Sequence, residues 1–531
     1  MHSSIGIIAG VLLTTVAALS NPHDRARRFV DQRSRYLENR DSLLHPGNYG
    51  GDKPFKHLNP KTEEFLVRGR DLPEVDFDIG ESYAGTLPNS PSGNSSLWFW
   101  FFPSENPAAS EEITVFLNGG PGCSSLLGLL QENGPFLWQP GTYKPVINLY
   151  SWTNLTNMVW IDQPAGTGFS PGPPTVEDEI DVANQFNDFW KRFMERFDLM
   201  GRRVFLTGES YAGMYIPYIA NKMLEKRDNR YFDLQGIWIM NPVINEDDTM
   251  ITAPSVPALN YYQSVIQLNE STLADVNRRY ESCGYAKFMN MALQFPPTGK
   301  LPSAPKSNGE CNLWEHIVTA ATYVNPCFNI YNLREFCPLL WNVMRFPLTV
   351  GPSNYFNRTD VQKVLHTPPT DYMLCNMQYK FFPEGDKSPP SGLGPLPNVI
   401  EKTNNTIIAH GALDFLLFLN GTLITIQNMT WNGAQGFQKA PSEKLFVPYH
   451  PGLGEIASRN VTGPFTQVAG AGQLGTVHTE RGLTWVTVDL SGHKIPQYSP
   501  GFAYRTMELL LGRIESLSQR GSFTTLPEDF E

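Results

Sequence analysis

Between residues 76 and 242 the chain alternates short apolar runs with amphipathic stretches, and few folds accommodate that rhythm. The runs ITVFL (113–117), MVWI (158–161), RVFLT (203–207) and GIWIM (236–240) are rich in β-branched or aromatic residues and end in turn residues. Strands buried on both faces read this way, because neither face needs polar side chains. Between them, EDEIDVANQFNDFWKRFMERF (177–197) spaces its apolar residues at helical intervals. Strands alternating with helices imply a mostly parallel central sheet covered by helices on both faces. From 243 to 360 the rhythm stops. Pro, Asn and Gly are frequent there, and four of the six cysteines, Cys283, Cys311, Cys327 and Cys337, fall in this stretch. It reads as an inserted cap stapled by disulfides, with several pairings open. The strand rhythm resumes in TIIAHGALD (406–414) and LTWVTVDLSGH (483–493), so 361–531 supplies the second part of the core.

A chain of 531 residues, 41% hydrophobic and 18% charged, has enough apolar surface for one such core and an insertion. The formal net charge of −11 argues against a nucleic-acid partner, since no basic stripe is available to neutralise phosphates. Ile5 to Ala18 form an apolar stretch, with Ala18 and Ser20 at the positions a signal peptidase inspects, so 1–20 reads as a signal peptide. That stretch is short for a membrane span, and no later segment offers about twenty unbroken apolar residues. The terminal TTLPEDFE has no tail for a lipid anchor. A secreted protein without a membrane anchor is expected, with a vacuolar or lysosome-like compartment as the alternative. Residues 21–75, basic and broken by Pro and Gly, read as an N-terminal arm or pro-segment. An even number of cysteines fits disulfides, and the lack of CxxC spacing argues against a metal site. Glycosylation sequons lie at Asn94, Asn154, Asn269, Asn357, Asn404, Asn420, Asn428 and Asn460.

Two GxSxG matches offer a nucleophile. In Gly168-Phe169-Ser170-Pro171-Gly172 the residue after serine is proline, which has no N–H to give an oxyanion, so Ser170 is excluded. In Gly208-Glu209-Ser210-Tyr211-Ala212-Gly213 the motif follows RVFLT and precedes MYIPYIANKMLEK, a helical pattern apart from Pro217. Strand, tight turn and helix are the context of the nucleophile elbow of an α/β-hydrolase, with Tyr211 free to offer its N–H. In that fold the acid and the histidine follow the serine in that order. Downstream lie His316, His366, His410, His450, His478 and His493. His493 falls in a turn directly after a strong strand, and Asp414 ends the turn after another, so Asp414 is assigned to orient His493. The Gly-rich Asn118-Gly119-Gly120-Pro121-Gly122 follows ITVFL, where such folds place their second oxyanion donor.

With these residues in place the chain resembles the serine carboxypeptidase family, in its carboxypeptidase Y-like, fungal form. The resemblance rests on NGGPGCSSLLGLLQENGPF (118–136), SWTNLTNMVWIDQPAGTGFS (151–170), TGESYAGMYIPYIA (207–220), DVQKVLH (360–366), HGALDF (410–415) and SGHKIPQYSP (491–500). It implies a Ser210–Asp414–His493 triad, an oxyanion hole from the N–H groups of Gly120 and Tyr211, and a Cys123–Cys375 disulfide. It also implies that Asn118, Glu132 and Glu209 bind the carboxylate of a peptide or protein C-terminus, with no metal or organic cofactor. Two carboxyls held close cannot both ionise cheaply, so one keeps a proton and donates it to the substrate acid. Peptide hydrolysis is then expected to be favoured in mild acid. Ala412, Leu417 and Phe418 stand where the family commonly has an Asp, a Cys and an Asn. The missing thiol at Leu417 should lower sensitivity to mercurials.

Three rival readings keep part of this evidence. A carboxypeptidase-like acyltransferase would retain the triad but has less need of a carboxylate clamp, and product analysis on a blocked dipeptide against an activated ester separates the two. A general esterase or lipase fits GESYAG but leaves the acid pair surplus. A non-catalytic binding protein would leave Ser210 unlabelled by a fluorophosphonate.

Overall fold

The computed structural model describes residues 55–526, apart from 336, 338–339, 346–353, 377 and 451–470. The expected signal peptide, most of the N-terminal arm and Asn460 lie outside the described residues. The described part of the arm packs down: the Lys56 and His57 amides both donate to the Glu81 carboxylate, at 2.7 and 2.8 Å.

An eleven-stranded sheet runs through the molecule. In chain order its strands are β1 (Leu66–Val67), β2 (Ser82–Pro88), β3 (Ser96–Phe102), β4 (Glu112–Leu117), β5 (Met158–Asp162), β6 (Arg203–Glu209), β7 (Asp233–Met240), β8 (Thr406–Gly411), β9 (Glu443–Val447), β10 (Gly472–Glu480) and β11 (Leu483–Val488). Their spatial order is β1-β2-β3-β5-β4-β6-β7-β8-β11-β10-β9. The central run from β5 to β11 is parallel, and both edges are antiparallel. This is the α/β-hydrolase architecture, and the four apolar runs expected to be strands before residue 242 lie in β4, β5, β6 and β7.

The strands are apolar on both faces because each face has its own core. Side chains alternate across a strand. Leu97, Phe99 and Phe101 of β3, with Val204 and Leu206 of β6, enter one cluster. Trp98, Trp100 and Phe102, with Phe205, enter the other. Truncating any such buried aromatic to alanine costs about 3–5 kcal/mol.

Helices α1 (Glu179–Arg196) and α2 (Ala212–Lys226) cover the first face. The Asp178 carboxylate caps α1 by accepting from the Asp181 amide at 2.9 Å. In α2, Pro217 has no N–H to reach the Gly213 carbonyl four residues back. Ser391 Oγ donates to that carbonyl instead, at 2.5 Å, so the helix continues through the proline.

Glu179 is a liability at the start of α1. Both carboxyl oxygens are buried without a hydrogen bond of good geometry among the described residues, and the Tyr211 hydroxyl only partly eases the charge. Burial first, then Asp386 and Asp178, hold its pKa well above the ordinary glutamate value. A glutamate in the unfolded chain ionises above about pH 4.3, so the folded state binds the extra proton and its stability falls as pH rises past that value. Glu179→Gln should therefore raise the melting temperature at pH 7 by roughly 2–4 °C and change it little at pH 4, as differential scanning fluorimetry will report.

Between β7 and α7 (Leu396–Thr403) the described chain forms α3 (Ala253–Tyr261), α4 (Glu270–Ser282), α5 (Tyr285–Ala292) and α6 (Leu313–Val324). The sequence reading gave no helices here. They form because local caps and a third apolar cluster compensate for the Pro and Asn content: the Asn269 side chain accepts from the Thr272 amide at 2.9 Å to start α4. That cluster joins Val256, Phe288 and Ile317 to Phe415 and Phe418 from the chain after β8. Disulfides Cys283–Cys311 and Cys327–Cys337 lie in this region. After it come α8 (Leu419–Asn428) and α9 (Pro500–Leu510).

Candidate active site

Ser210 occupies the turn between β6 and α2 with φ at +63°. A β-substituted residue pays for that left-handed conformation, on the order of 1–3 kcal/mol. The surroundings hold it: Ser210 N donates to Met240 O, and Ser210 O accepts from the amides of Gly213 and Val243, each at 2.9 Å. Crowding explains the neighbouring glycine in the preceding loop. A Cβ on Gly119 would sit 2.3 Å from Tyr211 N and 2.9 Å from Ser210 Cβ, so the loop rests directly on the elbow. The backbone N–H groups of Gly120 and Tyr211 donate to no backbone partner among the described hydrogen bonds. Disulfide Cys123–Cys375 ties this loop to 374–376, and the Ser124 amide donates to Leu374 O at 2.7 Å.

The loops after β8 and β11 bring Asp414 and His493 together, because those strands are parallel neighbours and both chains leave the sheet at the same edge. His493 Nδ1 lies 2.7 Å from Asp414 Oδ2. Both residues are 3% exposed. Asp414 Oδ1 accepts from the amides of Leu416 and Leu417 at 2.9 and 3.1 Å. No hydrogen bond among those described joins Ser210 Oγ to His493. In enzymes without substrate that contact is often long and tightens on binding.

Glu209 and Asn118 meet beside the elbow, where Asn118 Nδ2 donates to Glu209 Oε1 at 2.8 Å. Asn118 is oriented by its own carbonyl, which accepts from the Gly128 amide at 2.9 Å. Glu132 approaches from the helical turn Leu129–Asn133, and all three side chains are at most 2% exposed. The two carboxyls lie within hydrogen-bonding reach of one another. Both oxygens of Glu132 and Oε2 of Glu209 lack a hydrogen bond of good geometry among the described residues, with the Asn118 side chain a nearby donor that eases the Glu132 charge. Burial pushes the Glu132 carboxyl up to about 7, with Lys494 the largest opposing influence. Burial and the Glu132 charge raise Glu209 well above the ordinary range. Carboxyls raised in this way favour a retained proton, and a protonated carboxyl can donate a hydrogen bond to another carboxylate.

Sequence reasoning overlooked Asn241. It follows β7, and its Nδ2 donates to Asp414 Oδ2 at 2.7 Å while its Oδ1 accepts from the Gly411 amide at 3.2 Å. A polar residue ending an apolar strand was the available signal. His410, another of the histidines downstream of Ser210, is buried against Asn241 with Nδ1 3.2 Å from Asn241 Nδ2. Burial lowers its pKa to about 4, so it stays neutral. Asn241→Ala should lower kcat on an ester roughly 10- to 100-fold with KM little changed, the usual loss when a hydrogen bond to a charged group goes; steady-state kinetics with active-site titration measures it. Ser170 has a structural place, its Oγ accepting from the Trp98 amide at 2.7 Å. Asp162 also went unnoticed. It accepts from Ser124 Oγ and the Ser125 amide, at 2.7 and 2.8 Å, which pins the far end of the Gly-rich loop.

Comparison with known proteins places this geometry. The family model described as serine carboxypeptidase matches residues 73–513. A carboxypeptidase Y homolog of Arthroderma benhamiae is 55% identical over 97% of this chain and 98% of its own. Serine-type carboxypeptidase F of Aspergillus niger is 41% identical over 87% of this chain and 89% of its own. Among solved structures, the prohormone-processing carboxypeptidase Kex1(delta)p of Saccharomyces cerevisiae superposes with a TM-score of 0.65 at 24% identity, covering 87% of this chain and 99% of its own, a likeness of fold. With the family model spanning most of the sequence, the chain belongs to the serine carboxypeptidase family and is a serine-type carboxypeptidase.

Proposed function

We propose that Ser210, Asp414 and His493 are the catalytic triad, that Gly120 and Tyr211 form the oxyanion hole, and that Asn118, Glu132 and Glu209 grip the substrate's terminal carboxylate, so that single amino acids leave peptide C-termini best in mild acid. The observation that supports exo-action most directly is the buried acid pair: Glu209 immediately precedes Ser210 in the chain, and its Oε2 lies within reach of the Glu132 carboxyl with no other hydrogen bond among the described residues. His493 takes the Ser210 proton as Oγ attacks the last peptide carbonyl. Asp414 holds the imidazole tautomer and stabilises the imidazolium. The two N–H groups stabilise the tetrahedral oxyanion, typically by about 3 kcal/mol each. His493 returns the proton to the departing amine, and water then hydrolyses the acyl-enzyme.

The chain's compartment in this reading is the secretory route, ending outside the cell or in an acidic vacuole. The three disulfides support it. Among the described residues no helix is long and apolar enough to cross a membrane. Asn94, Asn154, Asn269 and Asn404 are exposed and open to glycans, whereas Asn357, Asn420 and Asn428 are half-buried. We read 243–360 as an insertion into a core formed by 76–242 and 361–531. The deciding experiment is timed amino-acid release from a peptide and its C-terminally amidated twin across pH. Sequential release from the free acid, strongest in acid, is expected; equal cleavage of both at every pH sinks the reading.

A further inference from the structure

Asp414 and His493 sit on separate loops, and their mutual hydrogen bond alone does not set how far apart those loops stand. The Leu413 amide joins the loops directly, donating to Ser491 O at 2.9 Å, and further contacts to both come from the chain between β7 and α7. The Leu333 amide donates to Leu413 O at 3.1 Å, and the Phe415 amide donates to Ile330 O at 2.8 Å, so Asp414 is bracketed by two backbone bonds to one short segment. The same segment takes the other loop: the His493 amide donates to Tyr331 O at 2.7 Å, and Arg334 Nη1 donates to Leu490 O at 3.2 Å. Contact is backbone to backbone, since a Cβ on Gly492 would fall 2.3 Å from Tyr331 O. The segment is stiffened internally, with the Asn329 and Asn332 side-chain oxygens accepting from the amides of Tyr331 and Arg334 at 2.9 and 3.0 Å. Cys327 and Cys337 close it at both ends. Two side chains, from the turn after α3 and from α6, complete the hold: Tyr262 Oη donates to Ala412 O and Trp314 Nε1 to Phe415 O, each at 2.8 Å.

We propose that the Cys327–Cys337 loop is the positioning element of the Asp414–His493 pair, gripping both loops through the backbone, with Tyr262 and Trp314 as positioning residues that fix the Asp414 side. The inserted region then frames the catalytic centre. The two loops meet directly at the Leu413–Ser491 bond, and backbone groups on either side of that meeting point, at Leu413, Phe415 and His493, find their further partners on one segment, so the spacing of the pair also follows the segment's shape. This rests on the triad assigned above. A wild-type enzyme that an activated ester fails to titrate would sink that assignment, whereas the outcomes below concern the frame alone.

The test compares full-length Cys327→Ala/Cys337→Ala, Tyr262→Phe and Trp314→Phe with the wild type. Functional sites are counted by the burst with an activated ester, and kcat and KM are then measured per titrated site on an ester and on a blocked dipeptide. The cysteine variant should lose about 100-fold in per-site kcat on both substrates with KM within about twofold, the scale of a distant change that misplaces a catalytic group by about 1 Å. Each single hydrogen-bond variant should lose about 3- to 10-fold. Loss of melting temperature or of titratable sites with per-site kcat unchanged would mean a purely structural loop and overturns the proposal. If the cysteine variant does not fold, Tyr262→Phe and Trp314→Phe decide, and unchanged per-site kcat in both overturns it as well.

Discussion

Replacing Ser210 with alanine is expected to lower kcat on a blocked dipeptide by on the order of 10⁶-fold, and to abolish labelling by a fluorophosphonate. The residual rate comes from the oxyanion hole and substrate binding, which the substitution leaves in place. His493→Ala should cost about as much, and the double variant Ser210→Ala/His493→Ala little more, because each residue is useless without the other. Asp414→Asn should cost about 10⁴-fold, since an amide can donate to Nδ1 and stabilise the wrong imidazole tautomer. Ser170→Ala is the control. Its Oγ accepts a strand amide and lies outside the elbow, so kcat per titrated site should stay within about twofold of wild type. A Ser210→Ala enzyme that keeps near-normal peptidase activity would overturn the triad.

The second large effect separates substrates. Glu132→Ala leaves Glu209 without the acid that shares its proton, and kcat/KM on a free-acid peptide should fall by about 2–5 kcal/mol in transition-state terms, roughly 30- to 5,000-fold. Esters and amides with no free terminal carboxylate should change little. The pH dependence follows from the raised carboxyls. Glu132 is pushed up to about 7 and Glu209 well above the ordinary range, so in mild acid the pair retains a proton and can donate a hydrogen bond to the substrate anion. As pH rises past these raised values the protons leave in turn, and three negative groups crowd one buried space. Peptide KM should therefore climb with rising pH while ester KM stays flat. The same protons make the folded state bind more protons than the unfolded chain, so this pair's contribution to stability is greatest in acid and declines as pH rises from the ordinary glutamate value through the raised ones. Coincident peptidase and esterase pH profiles would refute the clamp.

Much of the scaffold was readable because it is written in local patterns. A β-branched run such as RVFLT specifies a buried strand wherever it packs, and Gly208 with Gly213 around Ser210 marks a turn too tight for side chains. Pro171 removed Ser170 from consideration with no structure at all, since a missing N–H is a covalent fact. Asn241 was unreadable for the opposite reason. A polar residue ending an apolar strand is a signal that names no role, and Asn241 matters only because β7 lies beside β8 and brings it within 2.7 Å of Asp414. The helices between 253 and 324 were hidden by Pro and Asn content that local caps and a separate apolar cluster override.

Chain order and residue chemistry alone determined the doubly covered sheet, the place of Ser210 at a strand-to-helix turn, and the order in which acid and imidazole could follow. Those are short-range properties: periodicity, backbone freedom and the presence or absence of a donor. Only the tertiary structure decided how Cys283, Cys311, Cys327 and Cys337 pair, that Glu132 and Glu209 are dry enough to share a proton, and that residues 330–334 bond to both the Asp414 and His493 loops. Each depends on distance and solvent exclusion between segments remote in the chain, and neither quantity exists until the core has packed.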